Sequence, residues 1–135
     1  MFTAQVYRIA IHSLGAILEE EYLAKLTIDK WNEAHSESCG KIFLQVPGNS
    51  TASTDINVVI IDSYIDIAAV DKVIKIGKPV VLLFNKYHDP KNTLQSELEM
   101  IESYREVVKD RCICYDFENK SDFSNALIKV LNRKY

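Results

Sequence analysis

Ile56-Asn57-Val58-Val59-Ile60-Ile61 is nearly all apolar and β-branched. A strand with one wet face would alternate, so an unbroken run of this kind reads as a strand covered on both faces. Downstream, Asp66 to Ile76 carries Ile67, Val70 and Ile74 at helical spacing, with Gly77 placed as a C-terminal cap. A second apolar run follows at once, Pro79-Val80-Val81-Leu82-Leu83-Phe84. Strand, helix, strand in this order predicts two parallel neighbours in the centre of a sheet, because parallel pairing needs a crossover and the crossover is normally a helix.

The flanking sequence extends the same alternation. Gln5 to Ile11 reads as a first strand, followed by a turn at His12-Ser13-Leu14-Gly15 and a helix from Ala16 to about His35. Glu19, Glu20 and Glu21 suit the positive end of that helix dipole. Its apolar residues form two stripes, Ile17/Ala24/Ile28/Trp31 and Leu18/Tyr22/Leu26, which predicts packing on more than one side. Gly40 breaks the helix, and Lys41 to Val46 alternates as an edge strand would. On the other side, Asn92 is a candidate helix cap with Gln95 as its capping-box partner. Leu94, Leu98, Ile101 and Val108 form a helical stripe, Cys112 to Phe117 a last strand, and Phe123/Ala126/Leu127/Val130/Leu131 a closing amphipathic helix.

The order β-α-β-β-α-β-α-β-α predicts a single α/β domain: a three-layer, doubly wound sheet of five mostly parallel strands in the flavodoxin-like order 2-1-3-4-5. Only residues 47–55 separate the second and third strands. An extended chain of that length spans roughly 30 Å, enough to return but not to include a full helix. The helix between strands 2 and 3 is therefore expected to be absent, leaving part of one sheet face uncovered, and an uncovered apolar face tends to become an interface.

Composition narrows the function classes. The chain has 135 residues, 47% of them hydrophobic and 26% charged, the make-up of an ordinary globular domain. A formal net charge of -3 gives no bulk attraction to nucleic acid or to an anionic membrane. No apolar run reaches the roughly 18 residues of a membrane span, and the N-terminus reads directly into a strand pattern, so a cytoplasmic location is expected. Cys39, Cys112 and Cys114 have no metal-ligand spacing, and the last two share one strand face, which favours packing. His12, His35 and His88 are far apart and no H-E-x-x-H occurs, so no metal site is expected.

In sheets wound this way, ligands bind beyond the carboxyl ends of the central strands, where the winding reverses. That rule places Ser13, Leu14 and Gly15 opposite Asp62, Ser63 and Tyr64, with Asn85 and Lys86 beside them. Backbone N-H groups after Ser13-Leu14-Gly15 could hold an anion, although a lone glycine at such a turn is more often a requirement of geometry. Neither G-x-G-x-x-G nor G-x-x-x-x-G-K-[ST] is present. Among carboxylates, Glu19 to Glu21 read first as dipole partners, and Asp62 is the better candidate base, with a turn-forming role as its alternative.

Several of these segments, taken in order, resemble a family. Ile9-Ala10-Ile11-His12-Ser13-Leu14-Gly15, Glu19-Glu20, Trp31-Asn32, Thr54-Asp55-Ile56-Asn57-Val58-Val59-Ile60, Gly77-Lys78-Pro79-Val80-Val81-Leu82-Leu83-Phe84 and Gln95 together are similar to the bacterial TIR-like domains found in defence proteins. The departures are as informative. Leu14 stands for the family proline, Ala16 for its aspartate and Glu21 for its arginine, and the paired glutamates of the helix before Gly77 fall on Ala68 and Ala69. In TIR enzymes that helix carries the glutamate implied to stabilise positive charge on the ribose of NAD, and alanine cannot do so.

The resemblance therefore implies a shortened, catalytically degenerate domain. It would bind NAD or another nucleotide-derived ligand at the switch point, or a protein partner or second copy through the uncovered sheet face. The alternative is an NAD glycohydrolase or nucleoside deoxyribosyltransferase-like enzyme in which Asp66 or Asp71, or Asp62, supplies the carboxylate. A structural assembly module with an empty cleft is the third reading.

Overall fold

A computed structural model describes residues 3–13, 18–47, 54–62, 64–86, 91 and 93–133. The elements are β1 (Gln5–Ser13), α1 (Leu18–Cys39), β2 (Lys41–Val46), β3 (Ile56–Ile61), α2 (Ile67–Ile74), β4 (Val80–Asn85), α3 (Gln95–Val108), β5 (Ile113–Phe117) and α4 (Lys120–Leu131). The strands form one sheet of order β2-β1-β3-β4-β5, and every pairing is parallel. This is the flavodoxin-like α/β arrangement that the alternating pattern predicts.

Burial explains why the middle strands read as they do. All of β3 and all but the last residue of β4 are buried. Alternate residues feed two cores: Ile56, Val58, Ile60, Val81 and Leu83 pack under α1 and α4, while Val59, Ile61, Val80, Leu82 and Phe84 pack under α2 and α3. A pleated strand with helices on both faces has no wet side, so both sets must be apolar. β2 and β5 lie at the edges, as their more polar patterns predict.

The two outer core layers differ in completeness. β1 and β2 run side by side with Val6 opposite Ile42 and Arg8 opposite Leu44. On the α2/α3 side of this pair, Val6 is 53% exposed and Leu44 51%, so a strip of apolar sheet is open to solvent. Of the connection between β2 and β3, residues 47, 54 and 55 are not helical; residues 48–53, on which the expected loss of a helix also falls, lie outside the described residues.

Several boundaries depart from the sequence reading. β1 continues through His12 and Ser13, which the sequence assigns to a turn, because both still pair with β3 at Val59 and Ile60. α1 runs on to Cys39 rather than ending near His35; nothing between them breaks a helix, and the stop comes at Gly40, whose φ of 68° lets its N-H reach the carbonyl of Ser36 at 2.9 Å. α3 starts at Gln95 with Leu94 at the cap and no side-chain cap bond, and the expected cap Asn92 lies outside the described residues. β5 starts at Ile113, one residue after Cys112.

The α1 stripes are resolved differently from expectation. Ala24, Ile28 and Trp31 are buried in the sheet-facing core. Of the second stripe, Tyr22 is 65% exposed and Leu26 only partly covered, so the chain itself leaves that side of α1 open.

Cys112 and Cys114 both pack against the α2/α3 core, in keeping with the packing role read from their spacing. Burial pushes the Cys112 thiol up to about 11, with the neighbouring Cys114 adding to the shift, so it carries little of the reactive thiolate at neutral pH. Burial raises the Cys114 thiol as well.

The edge of β2 is closed by a side chain. Phe43 donates its N-H to Asn32 Oδ1 at 2.9 Å, and Asn32 Nδ2 donates to the Phe43 carbonyl at 2.8 Å. The carboxamide thus does for Phe43 what a neighbouring strand would do. This occupies an edge that would otherwise be open to another chain.

Candidate functional site

Strand pleating aims a row of polar side chains to one side of the sheet at its carboxyl end. Ile9 and Ile11 of β1, and Val81 and Leu83 of β4, face the α1/α4 core, so Ser13 and Asn85, each an even number of residues on, project to the same side. Asp62 lies immediately beyond β3, between these two strands in the sheet.

Two of these side chains donate to carboxylates. The Ser13 hydroxyl donates to Glu21 Oε1 in the first turns of α1. Asn85 Nδ2 donates to Asp62 Oδ1 at 2.9 Å. A carboxylate that accepts from one hydroxyl or one amide retains further acceptor sites. The mouth is therefore acidic, with Glu19 and Glu20 added from the same helix turn.

The neighbouring cations are already engaged. Lys86 pairs with Glu102 at 2.6 Å, and Lys120 pairs with Glu19. Next to Asn85, a cavity of about 140 Å³ is walled by Glu19, Glu20, Leu23, Phe117, Lys120 and Phe123. That is room for one small ring, well below the several hundred cubic ångströms of a typical cofactor pocket.

The sequence-predicted residues divide into three groups. Asp62 and Asn85 are hydrogen-bonded to each other, and Ser13 lies at the carboxyl end of neighbouring β1. Leu14, Gly15 and Ser63 lie outside the described residues, and Tyr64 is exposed. Asp66 and Asp71 have structural work. Asp66 caps α2, its carboxylate accepting from the Ala69 N-H at 3.1 Å. Asp71, one turn further along, accepts from the Tyr104 hydroxyl at 2.6 Å and so joins α2 to α3. Ala68 and Ala69 occupy the first turn of α2, which has no acidic residue.

Glu21 is the member that sequence reasoning undervalues. Three consecutive glutamates at a helix start satisfy the dipole equally well, and only the fold shows which of them meets the end of β1. The available signal was Ser13, eight residues upstream.

The Tyr104–Asp71 bond makes a pH prediction. Burial, then the hydrogen bond and the charge of Asp71, raise the Tyr104 phenol above its ordinary value of 10.0. The folded state thus favours the neutral phenol. Its contribution to stability is complete below about pH 10 and is lost as the pH climbs beyond that value, where the unfolded tyrosine ionises first. Urea midpoints measured at increasing alkaline pH are expected to fall more steeply for the wild type than for Tyr104→Phe. Parallel curves would place Tyr104 in contact with water.

A second buried polar cluster sits on the opposite side of the sheet. Asn57, fully buried in β3, receives the Thr54 hydroxyl at 3.1 Å on Oδ1, with His12 Nε2 at 3.0 Å from the same oxygen. Its Nδ2 has no hydrogen-bond partner among the described residues. No group of three or more His, Cys, Asp or Glu side chains suited to a metal occurs among the described residues, and none of their helices is long and apolar enough to cross a membrane.

No family model and no curated protein matches the chain. Among solved structures it is similar to S. aureus homoserine dehydrogenase, at 13% identity and a TM-score of 0.50, over 85% of this chain and 33% of the dehydrogenase. The chain thus spans about a third of that enzyme's length. It is also similar to a short-chain flavodoxin associated with a non-canonical PDU bacterial microcompartment, at 15% identity and a TM-score of 0.41, over 96% of this chain and 99% of the flavodoxin. At such identities the first likeness is one of fold alone, and the second falls below the level at which a shared fold follows from the score. The flavodoxin-like assignment rests on the strand order and parallel register of this chain itself.

Proposed function

We propose that this chain is a TIR-like binding domain that takes the ribosyl end of a nucleotide-derived ligand at the carboxyl ends of β1, β3 and β4. The observation that carries this reading is the pair of carboxylates there, Glu21 under Ser13 and Asp62 under Asn85, each held by a neutral donor. Sugar hydroxyls are donors, and a charged acceptor in a partly enclosed site strengthens such a bond. Phosphate fits the same place poorly, since Glu19, Glu20 and Glu21 occupy the helix terminus and Lys86 and Lys120 are paired with carboxylates. A ligand bearing phosphates would keep them outside the mouth, with its sugar at Glu21 and Asp62 and the small cavity beside Asn85 next to it.

Binding rather than turnover is favoured because the first turn of α2 offers Ala68 and Ala69 where TIR-like enzymes are expected to carry glutamate, while Asp66 and Asp71 are occupied in capping and in bonding Tyr104. One observation favours a hydrolytic alternative. Glu21 and Asp62 are negative charges at the mouth, and either could steady an oxocarbenium-like sugar as a glycosidic bond breaks.

Thermal shift and calorimetry with NAD, ADP-ribose and ribose test the proposal. The expected result is binding by the ribosyl compounds, weakened about 10- to 100-fold in Glu21→Gln and Asp62→Asn, the usual range for loss of a charged hydrogen-bond partner. No response at millimolar ligand would overturn it. Release of nicotinamide from NAD that disappears in the same variants would replace binding by hydrolysis.

A further inference from the structure

The flank of α1 beside α4 reads as its own complement. Glu19, Leu23, Leu26 and Lys30 are spaced by four, three and four residues, and at 100° per residue they fall within an arc of about 60°. Acid, leucine, leucine, base along one stripe becomes base, leucine, leucine, acid when the helix is reversed. An antiparallel copy would set Leu23 against Leu26 of its partner and Glu19 against Lys30, twice over by symmetry. Antiparallel helices also align their dipoles favourably.

The surface along this stripe is apolar and partly open, with Leu23 and Leu26 both half-buried. Leu23, Leu26, Thr27, Lys30, Trp31 and Ile128 line a groove of about 290 Å³ between α1 and α4. Ile128, 37% exposed, forms its far wall. The stripe itself forms one wall of this groove, so an antiparallel copy brings its own Leu23 and Leu26 against the same apolar surface. Lys30 makes no ion pair among the described residues, and Glu19 has only the solvent-exposed Lys120, a pairing that leaves it accessible.

We propose that the chain forms a two-fold dimer through α1 and the α1/α4 groove, with Glu19 of each copy paired to Lys30 of the other. This does not rest on the ligand reading above, although Glu19 and Leu23 also wall the cavity beside Asn85, and it uses a different surface from the exposed strip at Val6 and Leu44. α1 is about 33 Å long, and two helices side by side are about 20 Å wide, so each copy can bury on the order of 600 Å². That is below the roughly 800 Å² per partner of a standard stable complex, so the dimer belongs in the micromolar range or weaker.

Sedimentation of the full chain from about 5 to about 500 μM tests this, a range chosen to bracket such an affinity. The mass is expected to rise from monomer to dimer. Glu19→Lys and Lys30→Glu, each alone, are expected to remain monomeric, because each places like charges across the contact. An equimolar mixture of the two is expected to dimerise again, because every contact between unlike variants is then of opposite sign. Leu26→Asp is expected to abolish association. A wild type that stays monomeric across the range overturns the proposal, as does a dimer that persists in all three variants. Failure of the mixture to associate, with both variants folded by circular dichroism, overturns it too. The mixing result stands even if Leu26→Asp does not fold.

Discussion

Phe123→Ala is expected to destabilise the fold by about 3–5 kcal/mol, the range for removing a large aromatic side chain from a well-packed core. Phe123 is buried on α4 and meets the edge of Phe117 with ring centroids 5.1 Å apart and planes at 79°. That contact fixes the closing helix to the end of β5, and both rings wall the cavity beside Asn85. Truncation would leave an apolar void under α4 that the surrounding strands, themselves covered on both faces, cannot fill by collapsing. The expected fall in melting temperature is about 10–20 °C for a domain of this size. Trp31 is the sole tryptophan, buried, and its indole N-H donates to Asn132 at the end of α4 at 2.9 Å. Its fluorescence therefore reports the loosening of α4 directly. A urea transition within about 1 kcal/mol of wild type would mean that α4 is not held by this aromatic pair.

Asn32→Ala is expected to cost about 1–3 kcal/mol and to change behaviour at high concentration. The substitution removes two hydrogen bonds at once, leaving the N-H and carbonyl of Phe43 without their carboxamide partner at the sheet edge. Water can reach an edge strand, which keeps the cost below that of orphaning two interior groups. The larger consequence is that β2 then presents an open hydrogen-bonding edge beside an apolar strip at Val6 and Leu44. Time-dependent light scattering, absent in the wild type and present in Asn32→Ala, is the expected signature. Asn32→Asp should restore half of the lock, since a carboxylate can accept from the Phe43 N-H but cannot donate to its carbonyl. Equal stability and solubility for all three proteins would show that the Asn32 contact is incidental.

Asn32 also shows where reading residues in order runs out. As part of Trp31-Asn32 it is a helical residue of no special pattern, and its partner lies eleven residues on, past Gly40 and inside a strand. The pairing depends on the angle at which α1 returns over β2, which no local periodicity contains. Glu21 is similar: a glutamate in a cluster of three becomes distinct only because Ser13 belongs to the end of β1 rather than to a turn. Asp66 and Asp71 were legible as acids on or near α2, but their hydrogen bonds to Ala69 and from Tyr104 follow from the cap geometry and from how α2 and α3 pack.

The arrangement of elements was legible in the sequence because burial writes itself into composition. Ile56 to Ile61 and Val80 to Phe84 can be continuous and apolar only if helices cover both faces, and helices between parallel strands leave few orders for the sheet. The expectation of a site at the carboxyl ends of β1, β3 and β4 followed from that order. The tertiary structure alone decided which polar groups meet there, which of the acids were committed to holding helices, and which side of α1 stayed uncovered. Those are facts of distance between residues far apart in the chain, set by side-chain packing rather than by any repeat the sequence displays.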